Sequence, residues 1–132
     1  MSIDLTLSWI DLRISTERSE LLRQFQNRYL VSYLRRYQLN SENNSSYEAD
    51  VIVLEYDYTD IPSLNVLQEV SDALPCCPIV MFTDQHSEAL AVWAFRSGVC
   101  DYFVLPLTEN GIDEVFTSIE MATEVCFSQR PQ

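Results

Sequence analysis

The chain of 132 residues contains no lysine and only two glycines, Gly98 and Gly111. So little glycine leaves no room for a glycine-rich phosphate cradle, and both a P-loop and a dinucleotide fingerprint are excluded. The single histidine, His86, has no serine or cysteine beside it in a nucleophile setting. It suits a surface loop better than a catalytic triad. The four cysteines, Cys76, Cys77, Cys100 and Cys126, form no C-x-x-C pair. A zinc site needs about four ligands at characteristic spacing, so these read as small buried hydrophobes of a reducing compartment. No stretch approaches the roughly 18 uninterrupted apolar residues of a membrane span. The start, MSIDLTLSWIDLR, has no basic leader and carries Asp4 and Asp11 within its apolar stretch, which argues against a signal peptide. The expectation is one cytoplasmic domain with its own core and no membrane contact.

Charge is unevenly placed. There are 20 acids against 8 arginines. Residues 1–36 hold six of the arginines and four acids, a balance of +2, whereas residues 37–132 hold two arginines and 16 acids, a balance of −14. Nucleic acid is a poor partner for such a chain, because phosphate contacts need clustered basic residues. A protein partner or a cation fits better, although a solvated acidic face is the commoner reason for such a balance.

The elements follow in a regular order. Ile3, Leu5, Leu7 and Trp9 alternate with shorter or polar residues, a period-2 strand ending near Asp11. Ser15 or Thr16 can cap a helix whose Leu21, Leu22 and Phe25 share one face. YLVSYL, residues 29–34, reads as a second strand, and residues 39–50, rich in Asn and Ser, as turns with at most a short helix. VIVLEY, residues 51–56, is a buried strand that ends in acids. Leu64, Leu67, Val70 and Leu74 then give helical spacing after Pro62. PIVMFT, residues 78–83, is a strand, and residues 87–98 a helix closed by Gly98. Residues 99–104 form the fifth strand. Thr108 caps a last helix whose stripe runs from Ile112 to Cys126. Strands alternating with helices predict a parallel sheet covered on both faces, with ligands gathering beyond the carboxyl ends of the strands. Asp11, Glu55, Asp57 and Thr83 all fall at such ends.

Over essentially its whole length the chain resembles the receiver domains of bacterial response regulators, most strongly from Asp50 to Val115. Residues 91–106, AVWAFRSGVCDYFVLP, are similar to the receiver pattern AVxAxxxGAxDYxxKP in unbroken register. The resemblance implies a flavodoxin-like three-layer sandwich with a five-stranded parallel sheet in order 2-1-3-4-5, its second helix short or degenerate. It implies a receiver-like domain over 1–127, with 128–132 as a tail or the start of a linker. Glu55 stands at the phosphoacceptor aspartate, and Thr83, 28 residues later, at the family's hydroxyl. Tyr102 matches the switch aromatic, and Leu105, before Pro106, the invariant lysine. A competing register makes Asp57 the acceptor.

Receiver chemistry uses an aspartate nucleophile, magnesium on an acidic pair and a backbone carbonyl, a lysine and a threonine. The cations neutralise charge on the phosphoryl oxygens. Here the lysine is lost and the pair is reduced to Asp11. Asp11, Glu55 and Asp57 remain as a candidate weak magnesium site; no other cofactor is expected. Glutamate adds one methylene, which carries its carboxylate about 1.5 Å further toward the phosphoryl position. Glu55 is then either a built-in imitation of a charged acceptor or a relic held by Thr83 or a backbone amide. Function therefore moves to a surface: Trp93 and Arg96, on a helix whose Ala91, Ala94, Phe95 and Gly98 face the core, form a candidate interface with Tyr102 of the fifth strand. The resemblance places contacts with a protein partner, or a homodimer, on this helix, the fifth strand and the last helix. The expectation is an atypical receiver without enzymatic activity, an adaptor or the regulatory module of a longer regulator. The alternatives are a receiver phosphorylated on Glu55 or Asp57, and a small enzyme on a flavodoxin-like fold.

Overall fold

The apolar runs fold into the centre of a parallel sheet. The computed structural model describes residues 5–13, 17–35, 49–56, 77–108 and 110–129. Strand β1 is Thr6–Asp11, β2 Leu30–Arg35, β3 Val51–Tyr56, β4 Ile79–Thr83 and β5 Val99–Val104. They pair in parallel in the order β2-β1-β3-β4-β5. Helix α1 is Glu20–Gln26, α2 Glu88–Arg96 and α3 Gly111–Gln129. This is the flavodoxin-like order that the resemblance implies. Helix α3 continues through Gln129, two residues into the stretch read as a tail. Among the described residues, no helix is long and apolar enough to cross a membrane. The segments over 39–48 and 62–74, and Asp57, lie outside the described residues.

Strand alternation divides the core in two. On one face Leu7, Trp9, Val51, Val53, Val80 and Phe82 pack with Leu21, Leu22 and Phe25 of α1 and Val115, Phe116 and Ile119 of α3. On the other, Ile10, Ile52, Leu54, Ile79 and Met81 pack with Leu90 and Ala94 of α2. Strand β1 departs from the half-buried alternation expected of it: its residues from Leu7 to Asp11 are all buried. A strand between two partners with helices on both faces has no solvent side, so its polar positions are buried too.

Helix ends account for two further differences. The cap of α1 is Ser19, whose hydroxyl accepts from the Leu22 amide, rather than Ser15 or Thr16, which lie outside the described residues. Helix α2 is capped in the same way by Ser87, whose hydroxyl accepts from the Leu90 amide. It ends before Gly98, whose φ of 105° is readily open to glycine. The core face of α2 is Leu90 and Ala94, with Trp93 half-buried against the same cluster. Phe95 is instead 52% exposed and Val92 49%. The sequence expectation for Trp93 and Phe95 is thus reversed, because the core stripe runs through Leu90 at i and Ala94 at i+4.

Phe25 is fully buried and stacks edge-on against Trp9, with centroids 5.0 Å apart, and against Phe116 at 5.1 Å. It therefore joins α1, the sheet and α3. Replacing Phe25 with Ala is expected to cost about 3–5 kcal/mol of unfolding free energy, and Phe95→Ala less than about 1 kcal/mol. Urea denaturation of both variants checks the contrast.

Candidate functional site

The chain reverses its direction of travel across the sheet between β1 and β3, and a crevice at such a switch point is where α/β sheets place ligands. Asp11 ends β1 and pairs in register with Arg35 of β2 on one side and Glu55 of β3 on the other. The Leu12 amide donates to the Glu55 carbonyl at 2.9 Å, which fixes the two strand ends together. Both carboxylates are almost fully buried, Asp11 at 1% exposure and Glu55 at 2%. Two like charges so placed need cationic and hydrogen-bonding partners.

Arg13 supplies the nearest cation. Its backbone N–H donates to Asp11 Oδ1 at 3.0 Å, an Asx-type turn that folds the chain back over the aspartate. Its guanidinium then grips both oxygens of Asp11, Nε to Oδ1 and Nη2 to Oδ2, each at 2.9 Å. The same Nε lies 3.6 Å from Glu55 Oε2, and Nη2 also donates to the Glu17 carbonyl at 2.7 Å. Bidentate geometry of this kind is the strong form of an arginine–carboxylate pair. Tyr33 donates its hydroxyl to Asp11 Oδ2 at 2.6 Å, and Arg35 stands 3.8 Å from that oxygen.

Glu55 turns inward. Its Oε1 accepts from the indole Nε1–H of Trp9 at 2.7 Å and from the Ser19 hydroxyl at 2.6 Å. Ser19 therefore both caps α1 and holds Glu55. The extra methylene of glutamate does not carry the carboxylate outward; it lets the group reach Trp9, which shares its sheet face by the parity of β1. The expectation that Thr83 or a backbone amide holds Glu55 is corrected accordingly. Thr83 is buried, and its hydroxyl accepts from the Gln85 amide at 3.0 Å. Alternation sets it with Ile79 and Met81, on the face opposite Glu55.

Leu105 is half-buried against the Trp9–Phe25 core, where an apolar side chain is at home, and the bond to Pro106 is cis. Tyr102 is half-buried; its hydroxyl meets exposed His86 Nδ1 at 3.1 Å and its ring lies 6.2 Å from that of Phe95. Sequence reasoning missed Trp9, Arg13, Ser19, Tyr33 and Arg35. The available signal was the concentration of arginines in the same 36 residues that contain Asp11.

The titration behaviour follows this geometry. Burial pushes Asp11 up, but hydrogen bonds from Arg13 and Tyr33 outweigh it and hold the carboxyl below its ordinary value. Burial also pushes Glu55 up; Ser19, Arg13 and Trp9 offset only part of this, and it stays above its ordinary value. Burial and then the bond to Asp11 push the Tyr33 hydroxyl up to about 12. As for a divalent ion, both oxygens of Asp11 and Oε1 of Glu55 already accept from protein donors, and Glu55 Oε2 lies 3.6 Å from the Arg13 guanidinium. Among the described residues no group of three or more His, Cys, Asp or Glu side chains is placed to hold a metal. The pair as built does not fit a hydrated magnesium ion.

No protein-family model and no curated protein matches the sequence. Solved structures do match the fold. The non-phosphorylated HemR receiver domain from Leptospira biflexa is 16% identical, with 96% of this chain and 98% of that one covered, at a TM-score of 0.61. The BeF3-activated DrrB receiver domain is 15% identical, with 92% and 99% covered, at 0.67. NtrX from Brucella abortus is 17% identical, with 97% of this chain but 28% of that one covered, at 0.70. At such identities the likeness establishes a shared receiver fold.

Opposite shifts give Asp11 and Glu55 opposite effects on stability. Glu55, raised, makes the folded state more stable as pH falls through its folded value toward its unfolded one. Asp11, lowered, contributes stability above its unfolded value that is lost as pH falls through its lower folded value. On acidification the stability of the wild type relative to Glu55→Gln is expected to rise as Glu55 takes up its proton. Asp11→Asn is expected to flatten the loss that follows at lower pH. Urea midpoints across the acid range test both signs; a wild-type minus Glu55→Gln difference that falls on acidification contradicts them.

Proposed function

We propose that this chain is a receiver-fold signalling module that works through protein–protein contacts and does not take up phosphate in the standard way. The observation that carries this reading is the inward engagement of Glu55. An acceptor must present an oxygen to an incoming phosphoryl group with cations around it. Here Oε1 of the acceptor-equivalent residue is occupied by Trp9 and Ser19 inside the protein, and Leu105 packs on the core at the lysine-equivalent position. The module is then an atypical receiver, an adaptor or the regulatory part of a longer cytoplasmic regulator, and not an enzyme.

Its working surface is the side formed by α2, β5 and α3. Phe95, Val92, Val104 and Met121 expose apolar area there, and Arg96 stands beside Phe95. Exposed aromatic and arginine side chains are the usual anchors of protein contacts. Trp93, packed on the core, shapes this surface from below, and Tyr102 supports the Phe95 ring. A second copy of the chain is the partner this reading tests first.

Two measurements test the proposal. Incubation with a small phosphodonor and magnesium is expected to leave the intact mass unchanged; a stable gain of one phosphate, on Glu55 or on Asp57, overturns it. Sedimentation is expected to show weaker self-association for Phe95→Ala at unchanged unfolding midpoint, whereas Trp93→Ala is expected to lose about 3 kcal/mol or more of stability. Unchanged sedimentation of Phe95→Ala rules out a homodimer through this surface.

A further inference from the structure

We infer that the guanidinium of Arg13 is the resident cation of the Asp11–Glu55 pair, so that the switch-point site is charge-balanced from within and closed to divalent metal. The inference deepens the functional reading above and concerns the same site. Two carboxylates at 1% and 2% exposure, on adjacent strand ends paired in register, repel each other strongly where water cannot screen them. Arg13 lies between them: bidentate on Asp11 at 2.9 Å, with Nε 3.6 Å from Glu55 Oε2. Its position is set by the Asx-type turn at Asp11 and by the Glu17 carbonyl, not by a flexible surface rotamer. Arg35, 3.8 Å from Asp11 Oδ2, adds positive charge from β2. An ion with two positive charges would have to displace Arg13 from both oxygens of Asp11 and lose its own water, at a site that already carries two guanidinium groups. The geometry therefore assigns to one side chain the charge-neutralising part that a divalent ion could otherwise play.

The consequence is that removal of Arg13 should create a requirement for an external cation that the wild type lacks. For the wild type, exchange of NaCl for MgCl2 at equal ionic strength is expected to shift Tm by less than about 1 °C. Arg13→Ala is expected to fall in Tm by on the order of 10 °C, since one partner of a buried pair is lost, and to recover several degrees with magnesium. Arg13→Lys should keep a charge in place and respond to magnesium less than Arg13→Ala does. Asp11→Asn combined with Arg13→Ala should not respond at all.

A second readout uses the wild-type chain alone. The Trp9 indole N–H is bonded to Glu55, so manganese bound at the pair would broaden its NMR signal at far lower manganese concentration than that of Trp93. No selective broadening is expected. Selective broadening of the Trp9 signal overturns the inference, as does an Arg13→Ala variant as stable as the wild type and indifferent to magnesium. An Arg13→Ala chain that folds only with magnesium supports it; for one that folds under neither condition, the manganese result on the wild type decides. Phosphate uptake without Trp9 broadening would defeat the functional reading alone, and broadening without uptake would defeat this inference alone.

Discussion

The contact on which the site depends is the double hydrogen bond from the Arg13 guanidinium to Asp11. It permits a carboxylate to end a strand buried on both faces, and it permits a second carboxylate, Glu55, to end the strand beside it. Without it the carboxyl edge of β1 and β3 would hold two charges out of reach of water, an arrangement that proteins avoid. Removing one member of such a pair typically costs on the order of 3–5 kcal/mol, a large share of a small domain's stability. Burying the whole set is not itself a strong stabiliser, since hydrophobic residues of similar volume can do as well. What it does is fix one arrangement of the strand ends, with Trp9, Ser19 and Tyr33 each held at a defined oxygen.

That arrangement links the site to the helices around it. Ser19 bonds Glu55 with the same hydroxyl that caps α1, and Phe25 of α1 packs on both Trp9 and Phe116 of α3. A change in the charge or position of Glu55 would therefore be felt at the start of α1 and through the aromatic core that α1 shares with α3. In a phosphate-driven switch, an added group reorganises the site; here the polar groups are already paired with one another. In the proposed reading, this is the physical sense in which the domain is set rather than poised.

Much of the fold was legible because the central strands announce themselves. Runs such as VIVLEY and PIVMFT have the length and continuity of strands buried on both faces, and β5 matches its expected span residue for residue. Strand β1 was harder: Thr6 and Ser8 look like the polar side of an alternating strand, yet Ser8 is fully buried because β1 lies between β2 and β3 with both faces of the sheet covered. The α2 stripe was misread for a related reason. Phe95 is a more natural core residue than Trp93 by hydropathy, but the face that meets the sheet runs through Leu90 and Ala94, which brings Trp93 against the core and leaves Phe95 outside. At the site, position was readable and partners were not. Asp11 and Glu55 could be placed at strand ends from the chain alone. That Arg13 would turn back onto Asp11, and Trp9 reach Glu55 from the next strand, depends on tertiary register.

The account is tested most directly by a double-mutant cycle on the contact from which it starts, with Asp11→Asn, Arg13→Gln and the double variant compared by urea unfolding. If Arg13 and Asp11 act as one buried unit, the double variant will lose about 2 kcal/mol less than the two single losses combined. Additivity to within about 0.5 kcal/mol would mean that the two side chains are merely neighbours, and the claim of an internally neutralised site would be contradicted.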